Sequence, residues 1–241
     1  MATAPRPDAR VLPDAATAAR AGAAEVAALL RQAAAAPAVT LALAGGHTPR
    51  RLYEELAATP GLPWDRVHLF WGDERCVRPD DAESNYAMAD AALIRRVPIP
   101  PAHVHRMPAE LAPPARAAAA YEETLRGFFR RAPWPALDLV LLGVGPDGHT
   151  ASLFPGHPAL DERELWVTAV ETQAKRPPWR LTLTLPALCA ARAVLVLATG
   201  DDKAAVVAPI LRGDPAAARL PAARVHGRER TVWVVDRAAA G

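Results

Sequence analysis

"LDLVLLGVGPDGHTASLFPG", residues Leu137–Gly156, decides how this chain is to be read. Leu139 to Leu142 form a continuous apolar run, the pattern of a strand covered on both faces. The run breaks at Gly143 and Gly145, and Pro146 stops it from continuing. Asp147 then stands two residues before His149, near enough for a carboxylate and an imidazole to meet in a turn. "TASLF" after them reads as a helix start. A buried strand, a glycine turn and a helix start make the repeating unit of parallel α/β sheets.

That unit recurs along the chain. "AVTLALAG" (38–45), "RVHLFWGDE" (66–74), "WRLTLTLPAL" (179–188), "RAVLVLATG" (192–200) and "RTVWVVD" (230–236) read as further strands. Helical periodicity covers 15–36, with Val26, Leu29 and Leu30 on one face, and also 82–97 and 114–132. Residues 48–58 read as a helix with Thr48 as N-cap and Pro49 at the first helical position. Residues 202–213 read as a helix closed by Gly213. The expected fold is α/β, with a mostly parallel sheet covered by helices on both faces, in one domain spanning 1–241. Residues 1–10 and 237–241 are expected to be loose ends.

Composition narrows the function. The net charge of +2 comes without a Lys/Arg run, which argues against nucleic acid or an anionic membrane as the partner and leaves a compact anionic metabolite. No apolar run reaches spanning length, and "MATAPRPDARVLPDAA" lacks the apolar centre of a secretory signal. Cys76 and Cys189 lie far apart, as expected of a reduced, cytoplasmic protein. Of 28 basic residues only Lys175 and Lys203 are lysine. In a chain so biased to arginine, a surviving lysine is either chance or chemistry that arginine cannot supply.

In parallel sheets ligands bind beyond the carboxyl ends of the strands, and four such ends carry chemistry here. "AGGHTP" sets Gly45 and Gly46 between strand and helix, where bare backbone amides can approach an anion. Thr48 could cap that helix or donate to a phosphate; a tight turn with no ligand accounts for the same residues. "WGDER" ends in Asp73, Glu74 and Arg75, either loop charges or an arginine clamp on a substrate oxygen. "GVGPDGHT" delivers Asp147 and His149, with the acid orienting the imidazole as a general base. "ATGDDK" places Lys203 in the first turn of a helix, where a cation opposes the dipole unless an anion binds. Arg180 opens its strand, after Lys175 and Arg176. The seven histidines form no metal set; His103 and His105 have strand spacing and read as structural, so neither metal nor cofactor is expected.

In order, "LALAGGHTPRRLY", "FWGDERCVRPDDAESNY", "VHRMPAE", "DLVLLGVGPDGHTASLFPG", "RLTLTLPAL" and "TGDDKAAVV" resemble the 6-phosphogluconolactonase family over nearly the whole chain. The family is related in fold to glucosamine-6-phosphate deaminase, so the resemblance implies a Rossmann-like three-layer sandwich. It also implies hydrolysis of 6-phospho-D-glucono-1,5-lactone in the oxidative pentose phosphate pathway without metal or organic cofactor. By resemblance His149 is the general base and Asp147 its support. Arg75 faces the reacting carbonyl, and Gly45, Gly46, Thr48, Arg180 and Lys203 gather the phosphate. His47 stands where the family often has serine, which puts a hydroxyl contact there in question. Contacts of Glu74 and Lys175 with substrate stay open.

Two rivals share the fold. The deaminases continue their "DGH" turn toward a glutamate that assists ring opening, whereas this chain reads "SLFPG" with no acid before Asp161. Non-catalytic sugar-phosphate sensors carry a helix-turn-helix segment, for which the N-terminus here is too short. The expected partner is a small sugar-phosphate lactone, and the expected assembly a monomer or weak homo-oligomer.

Overall fold

The computed structural model describes residues 8–33, 36–130, 132–173 and 176–241. Lys175 therefore lies outside the described residues. Nine strands are present among them: β1 (Asp8–Leu12), β2 (Val39–Leu43), β3 (Val67–Trp71), β4 (Asp73–Arg75), β5 (Leu139–Leu142), β6 (Val167–Glu171), β7 (Trp179–Leu183), β8 (Ala193–Ala198) and β9 (Arg230–Asp236). The helices are α1 (Ala15–Gln32), α2 (His47–Ala57), α3 (Asn85–Ala92), α4 (Pro114–Phe129), α5 (Leu185–Cys189), α6 (Ala204–Arg212), α7 (Pro221–Arg224) and α8 (Arg237–Ala240).

Six strands form one sheet in the order β1-β9-β8-β5-β2-β3, with every pairing parallel. Every residue of β2 and β5 is buried, as a sheet covered on both faces requires. The helix–strand alternation read from the sequence is thus the observed architecture. α1 and α2 pack on each other, and α1 also packs on β8 and β9. α1 starts where the Asp14 carboxylate accepts from the Thr17 amide at 2.7 Å and buries a stripe running from Ala18 to Leu30. Gly213 closes α6 in the left-handed conformation, φ 71°, as expected.

Four expectations need correction. The strand expected over 66–74 breaks at Gly72. The Gly72 amide still donates to Leu43, but its carbonyl accepts from Leu183, so the chain leaves the parallel sheet there. β4 then joins a separate antiparallel sheet, β4-β7-β6, which also takes the strand expected from Trp179 onward. "TASLF" is not helical: Thr150 bridges Leu153 in antiparallel fashion, and Ala151 has φ 48°. Thr48 is not the cap of α2, which begins one residue earlier at His47 after Gly46 (φ 104°). Neither residues 8–10 nor residues 237–241 are loose ends: Asp8 to Arg10 pair with β9 in β1, the Asp236 side chain caps α8 through the Ala239 amide, and Ala239 is buried.

At the β3 edge of the sheet, Val104 bridges Leu69 and the His105 amide donates to the Leu69 carbonyl. This stacks His103 on His68, ring centres 3.8 Å apart, and brings His105 Nε2 to 3.0 Å from His68 Nδ1. Phe70 and Phe128 pack beside them. The expectation that His103 and His105 are structural fits this packing, while the sequence gives no hint that His68 joins them. Burial, then the neighbouring imidazoles, push the pKa of His68 down to about 4, and His105 is lowered by the same causes. Imidazoles whose folded pKa lies below the unfolded value bind fewer protons when folded, so stability falls as pH drops through that interval. The urea midpoint is therefore expected to fall from about pH 6.5 toward pH 4, and less steeply in His68→Phe. Equal slopes in the two proteins would show that the stack does not supply the linkage.

Candidate active site

The four strand ends singled out in the sequence line one cavity of about 880 Å³. Gly45 to Thr48 come from the end of β2 and the start of α2, Asp73 and Arg75 from β4, Gly143 to Pro146 and His149 from the loop after β5, and Thr199, Gly200 and Lys203 from the loop after β8. The crossovers of a parallel sheet bring these turns to a common edge although they lie far apart in sequence.

The loop after β5 is bound to itself. The Gly148 amide donates to Gly145, and the Gly145 amide donates to the His149 carbonyl at 2.8 Å. Gly148 has φ 82°, a conformation that glycine adopts without penalty. The result places His149 Nδ1 at 2.5 Å from Asp147 Oδ1, and the same oxygen accepts from the His149 amide at 3.2 Å. With Nδ1–H donating to the carboxylate, Nε2 carries the lone pair. The His149 side chain is mostly buried, against Phe154 at 4.7 Å between ring centres. Burial raises the Asp147 pKa, but the facing imidazole and its two hydrogen bonds outweigh that, and the net direction is down. Asp147 is thus held as the anion that keeps the imidazole oriented.

Arg75 and Arg180 are directly opposed in the β4–β7 register. Like charges so placed repel unless an anion lies between or beside them. Both guanidinium Nε atoms are buried without a hydrogen-bond partner. Arg75 is anchored through Nη1 to the Glu83 carbonyl at 2.6 Å. Burial, together with Arg75, lowers the Arg180 pKa against the pull of Asp73. The pair forms an electropositive wall with donors to spare.

The Thr48 hydroxyl meets that of Thr199 at 3.0 Å, which ties the α2 turn to the loop after β8. Lys203 stands at the N-cap of α6, after a single 3₁₀ turn, and its ammonium contacts Asp202. Gly45 and Gly46 serve different ends. The space where a Gly45 side chain would stand is filled by the Asn85 carboxamide, so this glycine is required for packing whatever it binds. Gly46 supplies the positive φ at the N-cap of α2, and the first residues of that helix border the cavity.

Glu74 does not line the cavity. Its carboxylate accepts from the Arg75, Asn85 and Tyr86 amides and from the Ser84 hydroxyl, which builds the start of α3. Burial pushes its pKa up against those donors. Asp73, Asn85 and Ser152 were not singled out as a set, because their contacts close only in the fold. His47 is exposed at the rim. No group of three or more His, Cys, Asp or Glu among the described residues is arranged to hold a metal ion.

Residues 13–233 match the family of glucosamine-6-phosphate isomerases and 6-phosphogluconolactonases, and the chain belongs to that family. Relatives with high sequence identity to this chain include lactonases. The chain is 43% identical over 202 residues to the 6-phosphogluconolactonase of a Nostoc species, covering 83% of this chain and 82% of that one. It is 45% identical over 205 residues to the human 6-phosphogluconolactonase, covering 83% and 79%. The solved structure of 6-phosphogluconolactonase from Thermotoga maritima superposes with a TM-score of 0.84 at 32% identity, over 96% of this chain and 100% of that one.

Proposed function

We propose that this chain hydrolyses 6-phospho-D-glucono-1,5-lactone to 6-phosphogluconate, the lactonase step of the oxidative pentose phosphate pathway, with His149 as general base. The observation that carries the mechanism is His149, held by Asp147, at a cavity that Arg75, Arg180 and Lys203 also line. His149 Nε2 takes a proton from water as the oxygen adds to the lactone carbonyl. The oxyanion that forms lies toward Arg75. It collapses by breaking the ring C–O bond, and the imidazolium returns its proton to the departing ring oxygen. A δ-lactone is already an activated ester, so a base worth ~10²–10⁴-fold and an oxyanion donor suffice.

The phosphate is gathered by the start of α2, Thr48, Arg180 and Lys203. Lys203→Ala is expected to raise KM by roughly ten- to a hundredfold with a folded protein, since a charge-assisted contact is worth about 1.5–3 kcal/mol. Lys203→Arg should recover part of the loss, because the forked guanidinium replaces the charge but not the shape. An alanine variant with wild-type KM would remove Lys203 from the site. The protein acts in the cytoplasm as a monomer or weak homo-oligomer. Among the described residues, no helix is long and apolar enough to cross a membrane.

Substrate choice tests this reading against the deaminases of the same fold. The cavity carboxylates are Glu54, Asp73 and Asp236; none comes from the 150–161 segment. Asp161 is exposed at the end of a 3₁₀ turn and lies toward Arg163. Purified protein given glucosamine 6-phosphate should release no ammonia, while freshly made lactone is consumed. Sustained ammonia release would reverse the assignment.

A further inference from the structure

We infer that Ser152 is a positioning residue: through Asp73 it pins the His149 turn against the strand pair that carries Arg75 and Arg180. This rests on the reading of His149 as the base and adds a residue that touches neither substrate nor base.

Ser152 is fully buried, and its hydroxyl donates to Asp73 Oδ2 at 2.7 Å. Its amide donates to the Thr182 hydroxyl of β7 at 3.3 Å. Asp73 is buried in β4, two residues before Arg75, and lines the cavity. Asp73 Oδ1 accepts from Asn85 Nδ2 at 3.2 Å, and the same Nδ2 donates to the Asp73 carbonyl at 2.9 Å. The Asn85 carboxamide in turn fills the space beside Gly45. One buried chain of polar groups thus runs from the turn with the base, through the arginine strands, to the turn at the start of α2.

The backbone between His149 and Ser152 gives this chain a task. Ala151 has φ 48°, which a residue with a side chain keeps only when its surroundings hold it there. On one side the Thr150 hydroxyl donates to the Gly143 carbonyl at 2.8 Å, and the Gly145 amide holds the His149 carbonyl. On the other side the holding contacts made by Ser152 are those to Asp73 and Thr182. Without the hydroxyl, Asp73 Oδ2 loses its donor and the turn can relax at Ala151. The imidazole then moves relative to the arginines, and misplacement by about 1 Å can cost as much as 10²-fold in rate.

The test is steady-state kinetics on folded Ser152→Ala, with His149→Ala as reference. The expected result is a kcat about tenfold lower or less, a KM within about twofold, and a cooperative thermal transition above the assay temperature. A role in stability alone would lower Tm but leave kcat per folded molecule unchanged. Ser152→Cys keeps the shape with a weaker donor and should fall between; it carries the test if the alanine variant does not fold. Wild-type kcat in folded Ser152→Ala or Ser152→Cys would overturn the inference. If His149→Ala itself keeps its activity, the reading of the base fails instead.

Discussion

His149→Ala is expected to lose roughly 10²–10⁴-fold in kcat while KM changes little, because the base acts in the transition state and the phosphate contacts remain. The geometry gives the roles their order. Asp147 accepts from both the ring Nδ1 and the backbone amide of His149, which orients the imidazole and leaves Nε2 for water. Asp147→Asn should therefore lose less than His149→Ala, since a carboxamide can still accept from Nδ1 but cannot stabilise the imidazolium. A larger loss in Asp147→Asn than in His149→Ala would make the carboxylate the base.

The second large effect falls on a residue with no functional group. A side-chain carbon added at Gly145 would land on the His149 ring and crowd the Asp147 carboxylate. Imidazole and acid cannot both keep their places, and the Gly145 amide also holds the His149 carbonyl. Gly145→Ala should thus lower kcat by about 10²-fold or more, as misplacement of a catalytic group does, with a milder effect on Tm because Gly145 lies in a loop rather than in a strand. The matched control is Gly143→Ala, where the added carbon meets nothing within 4 Å. A wild-type kcat in Gly145→Ala would mean that the turn adapts and that Gly145 does not set the base.

These glycines also show what could be read from the chain. The four strand ends were legible because a parallel sheet sends its loops to one edge, and each loop announces itself by glycine next to charge. The apolar strands β2, β5, β8 and β9 were legible for the same reason: burial on both faces leaves little alternation. β1 was not, because Asp8 to Val11 are exposed and carry no apolar period. The antiparallel sheet was hidden by Gly72, which transfers the chain between sheets without interrupting the apolar-to-charged run. "TASLF" looked like a helix because Thr and Ser often cap one, whereas here their hydroxyls are drawn to Gly143 and Asp73. The purpose of Gly45 was unreadable for a simpler reason: the Asn85 carboxamide that needs its space lies 40 residues away. His68 likewise meets His103 and His105 only after a segment folds back over the sheet edge.

The central claim is lactone hydrolysis by an imidazole base, and one measurement bears on it most directly. Glucose-6-phosphate dehydrogenase makes fresh lactone, and the appearance of 6-phosphogluconate is timed across pH with this protein, with His149→Ala and with neither. Spontaneous hydrolysis, which rises with pH, is subtracted. The account predicts strong acceleration by the wild-type protein, a kcat that declines at acid pH because a protonated base cannot take the proton of water, and a His149→Ala curve close to the uncatalysed one. A wild-type protein that leaves the spontaneous rate unchanged, or a His149→Ala variant that matches the wild type, would contradict it.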